Sequence, residues 1–230
     1  MIKSRKILIN GFGINDADYS VVVTKTVDGV RKVLFRCPYY TKWVAVLERC
    51  YSIKLKTVRP TYEICTVCEE WLLFSNFKAW METQDWEGKH LDKDILVEGN
   101  KHYSPDTCVF VSHELNCFVL SKDTSKRGLP TGVYLKKVTG KYAATASDGP
   151  RNVYLGYYNT VEEAHRAWVE YKIQRVYEFK ENGLDDKVVD ALLLRYNSIL
   201  ATLNRSNPEI STIIFIYQKV LIDRLELKQS

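Results

Sequence analysis

A short segment between residues 90 and 120 concentrates the side chains that could do chemistry. It reads HLDKDILVEGNKHYSPDTCVFVSHELNCFVL. The pattern predicts an apolar and acidic strand, a polar loop, a second strand and a short helix that carries Asn116. A carboxylate on the strand and an amide oxygen on the helix are hard donors, which suit a divalent cation and leave positions open for phosphate and water.

The order of these elements resembles the ββα-metal finger of HNH endonucleases. The matching texts are Asp92-Lys93-Asp94, Gly99-Asn100-Lys101, Pro105-Asp106-Thr107 and Asn116. The resemblance implies that the chain hydrolyses phosphodiester bonds of DNA with a bound divalent metal, Mg²⁺ or Mn²⁺. The metal ligands that it implies are Asp92, Asp94 and Asn116.

The sequence leaves the general base open. The histidine that has this role in HNH enzymes is absent from its place, which Lys93 or Asp94 occupies. A lysine acts as a base only when it is neutral, and the two acidic neighbours of Lys93 favour its charged form. The catalytic candidates are Lys93, His90 and His102, with His113 also nearby. The chain is therefore either an active nuclease or an inactive DNA-binding regulator or inhibitor on the same scaffold.

A wider resemblance covers residues 43–116, about 75 positions. Over this stretch the chain is similar to a group of phage proteins described as HNH or homing-type endonucleases, which have the text Leu-Asp-Lys-Asp found here at residues 91–94. The lysine is therefore a feature of that group. The resemblance implies a protein of a phage or mobile element that acts in the cytoplasm of a bacterial host, and it does not itself imply cleavage of DNA.

Positive charge is concentrated in residues 121–180. This stretch has eleven lysines and arginines and six acidic residues, an excess that equals the net charge of +5 for the whole chain. A local basic excess suits a polyanion bound through phosphate contacts, and a solvated lysine surface is the alternative.

The same stretch contains a second recognisable pattern. Residues 132–158 alternate as three short strands with turns at 139–140 and 148–150, and Thr160 with Glu163 predicts a capping box that opens a helix. The texts Gly132-Val133-Tyr134, Gly140-Lys141-Tyr142-Ala143-Ala144 and Leu155-Gly156-Tyr157-Tyr158 resemble the Apetala-two or ethylene-response-factor DNA-binding domain. The resemblance implies a three-stranded sheet that lies in the major groove of double-stranded DNA, with the helix packed behind it.

The DNA-binding candidates come from this module and from the basic text before it. The lysines are expected to bind phosphates, and Arg151 to read a guanine edge. Tyr142 and Tyr158 have packing against the helix as an alternative role. The candidates are Lys126, Arg127, Tyr134, Lys136, Lys137, Lys141, Tyr142 and Arg151.

Cys65 and Cys68 form a CxxC motif, half of what a structural zinc site needs. The other cysteines lie at positions 37, 50, 108 and 117, and no second CxxC is present. We therefore expect buried thiols and not a zinc site. A zinc-stabilised protein-interaction module is the third interpretation of the chain.

The patterns together predict an α+β protein of several parts. Residues 1–120 would form an HNH-like region with a β-rich N-terminus, in which residues 6–10 and 20–26 are strands and Asp28-Gly29 is a hairpin turn before residues 31–35. The spacing of Trp43, Val46, Leu47 and Cys50 predicts one buried helical face, followed by a short strand over residues 62–67 and an aromatic helix over residues 69–81. Residues 121–131 would form a basic linker. Residues 132–180 would form the DNA-binding domain, and residues 181–230 two helices, over 185–200 and 210–227. No apolar run approaches the roughly 20 residues of a membrane helix, and the first residues lack the pattern of a signal peptide, so we expect a cytoplasmic protein without a membrane partner.

Overall fold

The computed structural model describes residues 8–119, 128–149 and 151–205 of the 230-residue chain. These residues form a mixed α+β protein with small sheets and several helices. The chain divides into two compact units, residues 1–116 and 117–230. Lys126, Arg127, most of the predicted linker and the predicted helix over 210–227 lie outside the described residues. None of the helices in the described part is long and apolar enough to cross a membrane.

The first unit begins with an antiparallel hairpin of β1 (Val22–Val27) and β2 (Val30–Arg36). Asp28 and Gly29 form the turn, with φ of 51° and 75°. Both values lie in the left-handed region that a two-residue hairpin turn requires, which confirms the turn predicted here. The strand predicted over residues 6–10 is not formed in its described part, residues 8–10. Within its described part, Ile9 forms only an isolated bridge to Gly13.

Helix α1 (Pro38–Tyr51) supplies one side of the first core. Its buried residues are those predicted from the helical spacing, Trp43, Val46, Leu47 and Cys50. The short helix α2 (Ile53–Val58) follows after Ser52, whose hydroxyl accepts the backbone N–H of Leu55. The predicted strand over residues 62–67 is reduced to β3 (Thr66–Val67), because residues 60–62 form a turn of 3₁₀ helix.

The single aromatic helix predicted over residues 69–81 is interrupted. A 3₁₀ turn covers Glu69–Leu72, and α3 (Phe74–Glu82) begins only after Leu73, which is extended with φ −97° and ψ 124°. The cause is a bridge from the N-terminal segment, since Ile14 N–H donates to the Leu72 carbonyl and Phe74 N–H donates to the Ile14 carbonyl. The aromatic side chains still form a core, as expected: Trp71, Phe74, Phe77 and Met81 are buried.

Three short strands and one helix carry the segment singled out in the sequence, and one of these strands pairs with β3. Strand β3 pairs in parallel with β5 (His102–Tyr103), and β4 (His90–Asp92) pairs antiparallel with β6 (Val109–Val111). Helix α4 (His113–Val119) begins directly after β6. The chain therefore places a strand pair and the following helix next to each other, with the 93–101 loop between β4 and β5.

The second unit contains the three strands and the capped helix that the sequence predicts. Strands β7 (Val133–Lys136), β8 (Lys141–Asp148) and β9 (Arg151–Tyr158) form an antiparallel sheet in chain order. Helix α5 (Val161–Glu181) begins with the predicted capping box of Thr160 and Glu163. Helix α6 (Asp186–Arg205) confirms the helix predicted over residues 185–200.

One face of this sheet packs against α5. Val133, Ala144 and Ala164 form the centre of that contact. The ladder between β8 and β9 shifts at one place: Ala144 faces Gly156 and Thr145 faces Tyr154, so the residue between them, Leu155, has no partner. This is a β-bulge, which inserts one extra residue into β9.

We predict that Gly132→Ala destabilises the second unit much more than Gly140→Ala. Both glycines have positive φ, 82° and 67°. A Cβ at Gly132 would lie 2.1 Å from Trp168 Cδ1, whereas Gly140 has no atom within 4 Å of that position. Both variants lose about 1 kcal/mol from left-handed strain, and Gly132→Ala loses about 1–3 kcal/mol more from overpacking. Urea unfolding monitored by circular dichroism measures the difference, and equal losses would contradict it.

Candidate functional site

Asp92 organises the chain at the end of β4. Its Oδ1 accepts the backbone N–H groups of Asp94 and Ile95, both at 2.8 Å. The chain turns at once, and the carboxyl groups of Asp92 and Asp94 come within hydrogen-bond reach of each other. The side chain of Lys93, between them in sequence, is buried, and its Nζ donates to Asp94 Oδ2 at 3.1 Å.

The two carboxyl groups titrate in opposite directions. Burial raises the pKa of Asp92, and the negative charge of Asp94 raises it further. Burial alone would raise the pKa of Asp94 as well, but the hydrogen bond with Asp92 and the charge of Lys93 outweigh it and lower that pKa. Such a split is typical of two carboxylates that share one site, because both cannot ionise without repulsion. A cation beside the pair would relieve that repulsion.

The residues present fit a Mg²⁺ or Mn²⁺ ion. Magnesium is usually bound by one or two carboxylates and keeps waters and substrate oxygens as its other ligands. Asp92 and Asp94 are two such carboxylates, and 41% of the Asp94 side chain is exposed. Within the described ranges no group of three or more His, Cys, Asp or Glu side chains could hold a metal. The remaining ligands would be water and substrate oxygens.

Two imidazoles lie at the same strand pair. His90 is two residues before Asp92, so both are on one face of β4. The ring centroids of His90 and His113 are 5.2 Å apart, although the rings come from β4 and α4. Asn116 lies one turn after His113 on α4 and therefore on the same side of that helix. The structure thus brings together His90, His113 and the strand that carries Asp92.

Desolvation lowers the pKa of His90, and the positive charges of Lys42, His113 and Arg49 lower it further. Lys42 is nearby because its Nζ donates to the Lys89 carbonyl at 2.8 Å. The usual pKa of histidine is about 6.5. His90 is therefore mostly neutral at neutral pH, which is the form that accepts a proton.

The other histidine candidate, His102, lies at a different pairing. It belongs to β5, and its Nδ1 is 2.8 Å from the hydroxyl of Thr66 on β3. Asn100 holds the loop between the two places, since its side-chain amide donates to the carbonyls of Lys93 and His102, both at 2.6 Å. The sequence placed Asn100 in a Gly-Asn-Lys motif but did not predict that it holds this loop.

Arg49 is a residue that sequence reasoning missed. It lies on α1, its guanidinium is 3.5 Å from the Tyr103 hydroxyl, and it faces the ring of Tyr62. Its positive charge interacts electrostatically with both His90 and Asp92. The local sequence did not indicate a role for Arg49 in the site, because the residues that it contacts come from distant parts of the chain.

The sheet of the second unit separates its candidates onto two faces. Cross-strand partners share a face, and Tyr134 faces Ala143 while Lys136 faces Lys141. Tyr134, Lys136 and Lys141 therefore lie on the outer face, away from α5, and Lys137 follows in the exposed turn.

Two candidates are not on that face. Tyr142 faces Tyr158, and both pack against the core under α5, which favours the packing alternative for these two residues. Arg151 is exposed, but it faces Asp148 at the end of the sheet. Alternation places this pair on the side of α5, and Asp148 there binds Arg175. Two residues that were not among the candidates, Tyr154 and Tyr157, are on the outer face instead.

The cysteines form no disulfide, and four of the six are buried, as expected for thiols in a core. Burial raises the pKa of Cys50 and of Cys108 to about 12 and the pKa of Cys68 to about 11. These thiols are protonated at neutral pH, so they are not reactive nucleophiles.

Comparison of the chain with protein-family models, with curated proteins and with solved structures found no match.

We predict that Lys42→Met raises the pKa of His90. The substitution removes a positive charge that opposes the imidazolium form, and methionine keeps most of the aliphatic stem. A titration of the histidine ring protons by NMR measures the change. His165 in the second unit, whose pKa is lowered by its own burial, is the internal control and should not shift. An unchanged or lower pKa for His90 would exclude Lys42 as a cause.

Proposed function

We propose that this chain is a DNA endonuclease of the kind encoded by phages and mobile elements, which hydrolyses phosphodiester bonds of double-stranded DNA with Mg²⁺ or Mn²⁺. The observation that carries the proposal is the carboxyl pair of Asp92 and Asp94 at the end of a strand whose partner leads directly into α4. The order of strand, strand and helix supports the proposal, because the HNH resemblance implies the same order of elements. The site of action would be the cytoplasm of the host cell.

In this proposal Asp92, Asp94 and Asn116 hold the metal ion. When bound, the ion would stabilise the charge that develops on the phosphate and on the leaving oxygen. Lys93 orients Asp94 through their ion pair, and the turn made by Asp92 Oδ1 keeps both carboxyl groups at one place.

His90 is the best general base among the three candidates. Lys93 is paired with Asp94, and the ring of His102 is bound to Thr66. His90 shares a strand face with Asp92 and is mostly neutral at neutral pH, so it can take a proton from an attacking water. Desolvation keeps His90 neutral, and the charges of Lys42 and Arg49 add to this effect and would also attract the phosphate.

The second unit would hold the DNA. Lys136, Lys137 and Lys141 are exposed around one hairpin of the sheet and can bind successive phosphates. Phosphate contacts of this kind release counterions from DNA, so they supply affinity without sequence preference. Arg151 does not lie on the outer face, and the proposal does not require it to recognise guanine.

The second candidate function is a catalytically inactive DNA-binding regulator or inhibitor. The ion pair of Lys93 and Asp94 favours it, because the ammonium group already neutralises one carboxylate of the pair. Asp92 Oδ1 is also occupied by two backbone N–H groups. In this case the carboxyl groups would stabilise the turn, and the sheet would still bind DNA.

We predict that the purified protein nicks supercoiled DNA in the presence of Mg²⁺ or Mn²⁺, and that Asp94→Asn and Asn116→Ala each reduce the rate by roughly 100-fold or more. Loss of even an outer-shell partner of a metal costs about 10–100-fold. Glu87→Gln, at an exposed acid before β4, is the matched control and should keep full activity. Agarose gels of plasmid DNA measure the rate. DNA binding without metal-dependent cleavage would support the inactive regulator.

We predict that Lys136→Ala weakens binding to duplex DNA of any sequence and reduces the slope of log K against log salt by about 0.9, the value for one lost phosphate contact. Lys187→Ala, at an exposed lysine on α6, should change neither quantity. Fluorescence anisotropy at several salt concentrations measures both. An unchanged slope for Lys136→Ala would remove this residue from the DNA contact.

A further inference from the structure

The outer face of the sheet presents three tyrosines, Tyr134, Tyr154 and Tyr157, which we call the tyrosine face. Tyr154 is 53% exposed and Tyr157 is 47% exposed. Their rings are 5.3 Å apart in an edge-to-face arrangement. Tyr134 and Tyr157 both face Ala143, one from each neighbouring strand. Ala143 lies between them and has no exposed surface.

The tyrosine face continues into positive charge at one end. Along β8 the outer positions run from Lys141, whose partner is Lys136, through Ala143 and Thr145 to Ser147. This distance is about 20 Å at 3.3 Å per residue. The tyrosines lie at the middle two positions, so a chain of phosphates bound at the lysine end would place its bases over the rings.

Acidic residues do not interrupt this face in the described strands. Asp148, the one acid of β8 and β9, alternates to the side of α5 and binds Arg175. Desolvation raises the pKa of Tyr154, and the neighbouring Tyr157 and Tyr134 raise it further. Its phenol is therefore uncharged at neutral pH and does not repel a phosphate.

The composition of the face differs from what reading a duplex requires. Base edges in the major groove are read by arginine, lysine, asparagine and glutamine side chains. The described strands place no arginine on this face. Its two lysines pair at one end and the one amide of these strands, Asn152, faces Ser147 at the opposite end, so none of these side chains lies among the rings. Exposed aromatic rings are instead the groups on which unpaired bases stack, since every base has a flat face and the bases of a duplex are already stacked.

We propose that the tyrosine face binds unpaired bases, so that the preferred ligand of the second unit is single-stranded or locally unpaired DNA. The tyrosines stack on the bases, and Lys136 and Lys141 bind the phosphates of the same strand. This inference deepens the proposed function and rests on its DNA-binding part. It does not depend on cleavage, because the carboxyl pair belongs to the first unit.

The test compares two matched pairs of substitutions in the full chain. Tyr154→Ala and Tyr157→Ala remove the rings, whereas Tyr154→Phe and Tyr157→Phe keep the rings and remove only the hydroxyls. Fluorescence anisotropy measures binding to a labelled single-stranded oligonucleotide and to the duplex of the same sequence, in EDTA to prevent cleavage. Circular dichroism verifies that each variant is folded, which is expected because both residues are exposed.

The wild-type protein is expected to bind the single strand more tightly than the duplex. Each alanine variant should lose about 5-fold to 150-fold in affinity for the single strand, the range for one stacked base, and much less for the duplex. The phenylalanine variants should bind like the wild type. Alanine variants that bind the single strand normally, or phenylalanine variants that lose as much as alanine variants, would overturn the inference.

The two proposals fail in different ways. Wild-type protein that binds neither DNA would overturn the proposed DNA-binding function together with this inference. Binding to duplex that is equal to or tighter than binding to the single strand, and that does not respond to the alanine substitutions, would overturn the inference alone.

Discussion

The first unit depends on one carboxylate oxygen, Asp92 Oδ1, which accepts two backbone N–H groups immediately after β4. A half-buried carboxylate is unfavourable unless hydrogen bonds compensate for its lost hydration, and these two bonds offset part of that cost. They also reverse the chain within three residues. The buried side chains of Lys93 and Ile95 and the partly exposed one of Asp94 take their directions from this turn. Asn100 then fixes the far end of the loop by binding the Lys93 carbonyl.

Among the residues that the structure describes, each unit buries one lysine, and the two are stabilised in different ways. Lys93 has a carboxylate partner in Asp94. Lys172 on α5 has only neutral partners at its ammonium group, the carbonyls of Phe118 and Ser147, and it lies over the Phe118 ring. Burial lowers the pKa of Lys172 to about 7, although the charge of Asp148 acts in the opposite direction. The lysine of the first unit therefore belongs to a charged site, and that of the second unit to a packed core.

Local patterns in the sequence predicted the elements whose causes are local. The buried face of α1, the Asp28-Gly29 turn and the capping box of α5 each follow from residues within a few positions of one another. The break at Leu73 could not be predicted, because its cause is a bridge to Ile14, about 60 residues away. In the site, the sequence supplied the acids and a set of histidines. Only the pairing of β4 with β6 distinguishes His90 from His102.

The bulge at Leu155 has a consequence for the surface of the sheet. Residues three apart in a regular strand point to opposite faces, yet Tyr154 and Tyr157 point to the same one, because the extra residue between them changes the alternation. The two rings therefore share one face because of the number of residues in β9 as well as because of their types. A protein with the same tyrosines and one residue fewer in this strand would have one ring outside and the other against the helix. In related chains, insertions and deletions at this position would therefore be more informative than substitutions.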